Sequence, residues 1–161
     1  MYRKVLVPLD QSKEAEKVLP IVQSMLTPGG EVILLQVIPP SQTQMMVVGE
    51  HHILGTELQD AERSKALSYL RFVVHQLGAD PERWHCQVEV SKAVAEATVD
   101  LAMREEVDLI AMYTHNRKGL AKLIKGSIAE KVQRRAPMEV KVFRPQELVG
   151  SAAAAVRADD T

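Results

Sequence analysis

Short apolar runs alternate with amphipathic segments along most of this chain. The apolar runs are rich in Val, Ile and Leu on both faces, which is typical of strands buried inside a sheet. The segments between them repeat apolar residues at intervals of three and four, which favours helices. This alternation predicts an α/β domain, an open five-stranded parallel sheet with helices on both faces. The predicted strands are Lys4–Leu9, Glu31–Ile38, Trp84–Val90, Leu109–Met112 and Glu139–Phe143.

Four helices are predicted between these strands. The first follows Ser12 as its N-cap and continues to Leu26, although Pro20 inside it should remove one hydrogen bond and kink the segment. Residues 41–55 show no clear period and predict a long loop. The remaining helices are predicted at Thr56–Leu77 with Gly78 as C-cap, from Val94 to about Glu105, and from Ile128 to Pro137.

Length and charge limit the classes of protein that fit. A chain of 161 residues fits one domain with a real core, and we assign residues 1–145 to that domain and 146–161 to a tail. A net charge of −1 argues against bulk binding to nucleic acid or to acidic membranes. The N-terminus predicts a strand rather than a signal peptide, and no apolar run approaches the roughly 20 residues of a membrane span. We therefore expect a cytoplasmic protein.

The expected topology points to a ligand site. In the strand order 3-2-1-4-5, strands one and four are neighbours, and ligands bind beyond the carboxyl ends of strands where the order reverses. Asp10 follows strand one and would face the loop Met112–Lys125, while Gly126 and Ser127 open a helix whose first N–H groups lack partners. Asp10 can contact a ribose, a base or a phosphate-bound Mg²⁺. The alternative is an Asx-turn or helix cap shared with Ser12.

Basic residues are concentrated near this loop. From His115 to Arg135 there are seven Lys or Arg residues against one acid, Glu130. This local excess suits an anionic small molecule, and the alternative is a solvated face of the last helix.

Motifs for catalysis or metal binding are absent. Neither GxGxxG nor GxxxxGK[ST] occurs, and the possible trio Ser127, His115 and Asp10 lacks a GxSxG elbow. Cys86 is the one cysteine, and no second Cys/His pair follows His85-Cys86 at zinc spacing. The pair His51-His52 lies in the loop without a clear period, beside Glu50. We assign no catalytic and no metal-binding residue.

Four segments together resemble the universal stress protein family over roughly residues 1–145. They are KVLVPLDQS (Lys4–Ser12), LLQV (Leu34–Val37), AEATVDLA preceding DLIAM (Ala95–Met112), and THNRKGLAKLIKGSIAEKVQRRAPMEVKVFRP (Thr114–Pro145). The resemblance implies an adenine nucleotide α-hydrolase-like, or Rossmann-like, fold and a stress-response regulatory protein. It also implies a homodimer formed through the last strand, Glu139–Phe143, and an uncovered sheet edge favours the same pairing.

The resemblance further implies a nucleotide site holding ATP or AMP, with Mg²⁺ as a possible companion. ATP-binding members carry glycine, two residues, glycine, nine residues, and glycine with Ser or Thr. This spacing is preserved here, but Tyr113 and Asn116 replace the first two glycines. The implied site residues are Pro8, Asp10, Val37, Met112, Tyr113, Asn116, Arg117, Gly126, Ser127 and Ile128.

Two functional hypotheses remain open from the sequence. The first is a nucleotide-binding regulatory protein with, at most, slow ATPase activity. The second is a dimeric interaction module of the same family that binds no nucleotide, because Tyr113 carries a Cβ and a large ring toward the place where a ligand approaches the backbone. The ring then either turns away or fills part of the pocket.

Overall fold

The computed structural model describes residues 1–41, 46–48, 51–53, 55–115 and 127–145, with the backbone alone for residues 46–48, 51–53 and 55. Seven strands and five helices are formed in these residues. In chain order they are β1 (Tyr2–Pro8), α1 (Lys13–Glu16), α2 (Leu19–Met25), β2 (Leu26–Ile38), β3 (Met46–Val48), β4 (His51–Ile53), α3 (Gly55–Gln76), β5 (Trp84–Val90), α4 (Val94–Arg104), β6 (Leu109–Tyr113), α5 (Ile128–Arg135) and β7 (Glu139–Phe143).

Five of the strands form one sheet in the order β5-β2-β1-β6-β7, and every pairing in it is parallel. Numbered along the chain without the two short strands, this is the order 3-2-1-4-5, which confirms the predicted topology. The order reverses between β1 and β6, the point at which open α/β sheets bind ligands.

Each face of the sheet is covered by its own set of helices, as predicted. Along β1, Val5 and Val7 belong to the core cluster that includes residues of α2 and α3, whereas Leu6 belongs to the cluster formed with α4 and α5. Strand side chains alternate between faces, so a run that is apolar at every position supplies both cores. All three residues are at most 1% exposed.

The prediction of one continuous helix after β1 is wrong. Two short helices replace it, and Pro20 lies in the first turn of α2. Proline has no N–H to donate to the carbonyl of Glu16, so the helix is interrupted at that point, and its fixed φ suits a new first turn.

Two segments predicted as turn or loop form strands instead. β2 begins at Leu26, which pairs with Tyr2 across an irregularity in register, so it includes Thr27-Pro28-Gly29-Gly30. Gly29 permits this course because it adopts φ +78°, a conformation that other residues rarely take. Within the predicted loop, β3 and β4 pair antiparallel.

The other predicted elements are confirmed closely. β5 and β7 have the predicted bounds, and α3 ends before Gly78, which adopts φ +64° as expected of a C-cap glycine. No helix in the described residues is long and apolar enough to cross a membrane. The predicted tail, residues 146–161, lies outside the described residues.

Candidate functional site

The turns after β1 and β6 lie side by side at the carboxyl edge of the sheet. Backbone hydrogen bonds fix the start of each turn: Leu9 N–H donates to the carbonyl of Leu35 at 2.8 Å, and Thr114 N–H donates to that of Phe143 at 2.9 Å. Each turn is therefore tied to the strand on its outer side, and their inner sides face a shared space.

A pocket of about 230 Å³ occupies this space. Its described walls come from the end of β1, from α1, from the end of β6, and from the starts of α4 and α5. Six of the ten predicted site residues line it. The described lining residues are Pro8, Leu9, Asp10, Ala15, Val94, Met112, Tyr113, Thr114, His115, Ser127, Ile128 and Ala129.

Asp10 is the acidic residue among the described walls, and its carboxylate is held by two neighbours. Oδ1 accepts the Ser12 N–H at 3.0 Å and the Ser12 hydroxyl at 2.5 Å. Ser12 in turn caps α1, because its Oγ accepts the N–H of Ala15 at 3.2 Å. The Asx-turn considered as an alternative for Asp10 is thus present, within the wall of the pocket. Gln11, between the two, adopts φ +66°.

His115 joins the two turns across the pocket mouth. Its Nε2 lies 2.9 Å from Oδ2 of Asp10, and both side chains are more than half exposed, 57% and 55%. Burial by itself would raise the pKa of Asp10, but the hydrogen bonds from Ser12 and His115 outweigh it, so the pKa is lowered. Asp10 is consequently an ionised acceptor at neutral pH.

Tyr113 stands at the edge of the pocket, where the family motif has its first glycine. Its ring meets the His115 ring edge-on, with centroids 4.9 Å apart and planes at 89°. The side chain is also packed against the core cluster beneath α2 and α3. The ring therefore supports His115 and occupies part of the wall.

Ser127 begins the helix on the other side of the pocket. It is the N-cap of α5, and its Oγ accepts the N–H of Glu130 at 3.1 Å. The hydroxyl proton stays available to a ligand, and the first helical turn leaves backbone N–H groups without helical partners. Ile128, 47% exposed, adds an apolar surface at the same point. This geometry suits an anion beside an apolar group.

Four predicted site residues are not placed in this wall. Val37 lies on β2, partly buried against the core cluster of α4 and α5. Asn116, Arg117 and Gly126 lie outside the described residues. The side chains of His51 and His52 are likewise outside the description, and the described residues contain no group of three His, Cys, Asp or Glu side chains suited to a metal.

Sequence reasoning named Asp10, Ser127 and His115 together only as an arbitrary trio. The structure brings all three to one pocket, but among the described residues no hydrogen bond joins Ser127 to His115. In this structure Ser127 Oγ caps α5 and His115 contacts Asp10, so the two side chains have separate partners. The sequence contains no direct signal for the Asp10–His115 contact, since it spans 105 positions.

Comparison with known proteins gives a consistent result. The chain matches the universal stress protein family over residues 1–144. The solved structure of hypothetical protein MJ0577 is 26% identical, with a TM-score of 0.65 and coverage of 89% of this chain and 96% of that one. No match to a curated protein is found.

Two further solved structures share the fold. A universal stress protein in complex with cAMP is 17% identical, with a TM-score of 0.62 over 89% of this chain and 97% of that chain. The universal stress protein from Archaeoglobus fulgidus in complex with dAMP is 19% identical, with a TM-score of 0.57 over 88% of this chain and 97% of that chain.

Proposed function

Because the chain belongs to the universal stress protein family, we propose that it is a stress-response regulatory protein that binds an adenine nucleotide, ATP or AMP, between β1 and β6. The observation that carries this proposal is the pocket at the point where strand order reverses. It combines an ionised carboxylate, a helix N-terminus and apolar walls, the three surfaces that a nucleoside phosphate requires.

Each surface has a role in the proposed complex. Asp10 accepts hydrogen bonds from ribose hydroxyls or the adenine amino group, and Met112 and Ile128 pack against apolar parts of the nucleoside. Ser127 and the first N–H groups of α5 donate to a phosphate. The family spacing adds Asn116, Arg117 and Gly126 on the phosphate side and Val37 on the adenosine side. A Mg²⁺ ion would enter with the phosphates.

The relatives supply independent support for this ligand class. Two proteins with the same fold were solved with cAMP and with dAMP, and both ligands contain adenine and one phosphate. A monophosphate also needs fewer contacts on the phosphate side of the site than ATP does, and two of the family glycines are replaced there. We therefore expect AMP to bind at least as well as ATP.

Two observations favour the alternative, an interaction module that binds no nucleotide. Both oxygens of Asp10 already have partners, and the bulk of Tyr113 lies in the wall where the family has glycine. A ligand that needs Asp10 must displace His115 or accept it as a neighbour. If displacing His115 costs more free energy than the ligand contacts contribute, the protein keeps its fold but binds no nucleotide.

A homodimer through β7 is proposed under both functions. β7 pairs with β6 and forms one edge of the sheet. Val140 and Val142 remain partly exposed while packing on one core cluster, so a second strand would find an apolar, unpaired edge. Light scattering should give twice the mass of one chain at micromolar concentration, and a clean monomer would contradict this assembly.

Calorimetric titration of the purified protein with ATP, ADP and AMP, with and without Mg²⁺, tests the proposed ligand. Saturable heat with AMP is expected. The variant Tyr113→Gly with Asn116→Gly restores the family glycines and should bind more tightly. Absence of heat and of thermal stabilisation at millimolar nucleotide, in both proteins, would favour the interaction module.

A further inference from the structure

A second and larger depression lies away from the first pocket, where the edge strand β5 begins. It has a volume of about 750 Å³ and runs between the C-terminal half of α3 and the edge strand β5. It shares no lining residue with the pocket between β1 and β6. We call it the α3–β5 groove; it is lined by Arg71, Val74, His75, Gly78, Ala79, Pro81, Trp84, His85 and Cys86.

The floor of the α3–β5 groove is apolar. Val74, Ala79 and Trp84 belong to the core cluster under α3 and are 5%, 9% and 4% exposed. Pro81 continues this surface toward the turn before β5. Ligand pockets of this size are typically apolar with a few placed polar groups. The floor accordingly suits a hydrocarbon or an aromatic group.

The rim of the groove is basic. Arg71 and His75 are separated by one helical turn and therefore lie on the same face of α3, above the floor. Within the described part of the chain, neither side chain has an ion pair or a hydrogen bond, and no carboxylate lines the groove. Burial raises the pKa of the Cys86 thiol, and the charge of Arg71 offsets only part of that rise.

Two carboxylates beside the groove have partners other than Arg71, and one of these partners is His85, which itself lines the groove. Glu31 lies 3.9 Å from Nε2 of His85 and 3.7 Å from Nζ of Lys4. Asp80 pairs with Arg83 at 3.5 Å. Arg71 is thus a cation beside an apolar floor with no described anion to neutralise it.

We propose that the α3–β5 groove binds a small apolar carboxylate, with its hydrocarbon part on Val74, Ala79 and Trp84 and its carboxylate at Arg71 and His75. An arginine fork matches a carboxylate with two parallel hydrogen bonds, and the neighbouring imidazole adds a third donor. A neutral molecule of the same shape would use the floor alone. The site is separate from the proposed nucleotide pocket, and each stands without the other.

The fluorescence of Trp84 can report binding in this groove. Trp84 is the one tryptophan in the sequence and lines the groove. The probe is 10-bromodecanoate, whose bromine quenches indole fluorescence at contact distance, and the comparison ligand is neutral 10-bromodecanol. We expect saturable quenching of the full-length protein by the carboxylate, with Kd below about 1 mM, and at least about fivefold weaker quenching by the alcohol.

Variants at the rim separate this site from general hydrophobic binding. Arg71→Gln should weaken the carboxylate about fivefold, which is the scale of one exposed charge contact, and leave the alcohol unchanged. Lys65→Gln removes the same charge from an exposed position of α3 outside the groove and should change neither ligand. AMP should not displace the probe.

Several outcomes would overturn the proposal. They are no saturable quenching at millimolar carboxylate, equal affinity for acid and alcohol, and equal loss of affinity in Arg71→Gln and Lys65→Gln. Displacement of the probe by AMP would also overturn it, because the carboxylate would then occupy the pocket between β1 and β6. A failure of AMP to bind leaves this test unaffected.

Discussion

Replacing His115 with alanine should increase the affinity of the protein for adenine nucleotide. In the free protein, Nε2 of His115 lies 2.9 Å from Oδ2 of Asp10. The proposed ligand uses the same carboxylate, so binding in the wild type must first break or share this contact. The alanine variant has no such contact to lose, and Asp10 keeps its two hydrogen bonds from Ser12.

The size of the effect follows from exposure. The two side chains are 57% and 55% exposed, and side-chain contacts this exposed contribute about 0.2–1 kcal/mol. The free energy of unfolding should therefore fall by less than about 1 kcal/mol, a change in Tm of no more than about 4 °C. The same range corresponds to a gain in nucleotide affinity of up to about fivefold.

Calorimetry with AMP measures the affinity, and thermal unfolding measures the stability. His85→Ala is a suitable control, because His85 is also exposed and lies 3.9 Å from a carboxylate, outside the pocket. It should leave the affinity unchanged. A fall in affinity for His115→Ala alone would refute the reasoning, since it would mean that His115 contacts the nucleotide instead of competing with it.

Three further predictions concern individual contacts. Ser127→Ala should lower stability by about 1 kcal/mol through loss of the helix cap, whereas Ser127→Asp should retain stability in urea unfolding yet abolish AMP binding by placing a charge beside the phosphate. The pKa of Asp108 is lowered, chiefly because its carboxylate accepts a backbone hydrogen bond. The ionised carboxylate therefore stabilises the fold above about pH 4, and this stabilisation is lost as the pH falls further. In urea unfolding, Asp108→Asn should lower the free energy of unfolding at pH 7 but much less at pH 3. Gly30→Ala should cost about 1–3 kcal/mol in the same assay at pH 7, because its Cβ would stand 3.0 Å from the Thr27 carbonyl oxygen and 3.1 Å from that of Tyr2; an unchanged midpoint would contradict this crowding.

The sheet was predictable because its information is local. Each strand is a short Val- and Leu-rich run between polar turns, and helices separate consecutive strands, which leaves few topologies for a parallel sheet. The bounds of Trp84–Val90 are accordingly those of β5. The extension of β2 through Pro28 and Gly29 was missed, because proline and glycine normally end a strand, and here pairing with Tyr2 overrides that preference.

The candidate site was predictable in position but not in detail. Asp10 and Ser127 could be assigned because strand ends and helix starts are visible in the sequence. The pairing of Asp10 with His115 was not, since it depends on how two distant turns approach each other in space. The orientation of the Tyr113 ring could not be predicted either, because the sequence allowed it to turn away or to fill the pocket. In the structure it forms part of the pocket wall.

Mapping AMP binding by amide chemical shifts tests the proposed nucleotide site most directly. A titration of isotope-labelled protein followed in ¹H–¹⁵N spectra reports the position and the affinity together. We predict saturable shifts concentrated at Asp10, Thr114 and Ser127, and little change at Arg71 or Trp84. Shifts that are absent at millimolar AMP, or that cluster away from the ends of β1 and β6, would contradict the proposal.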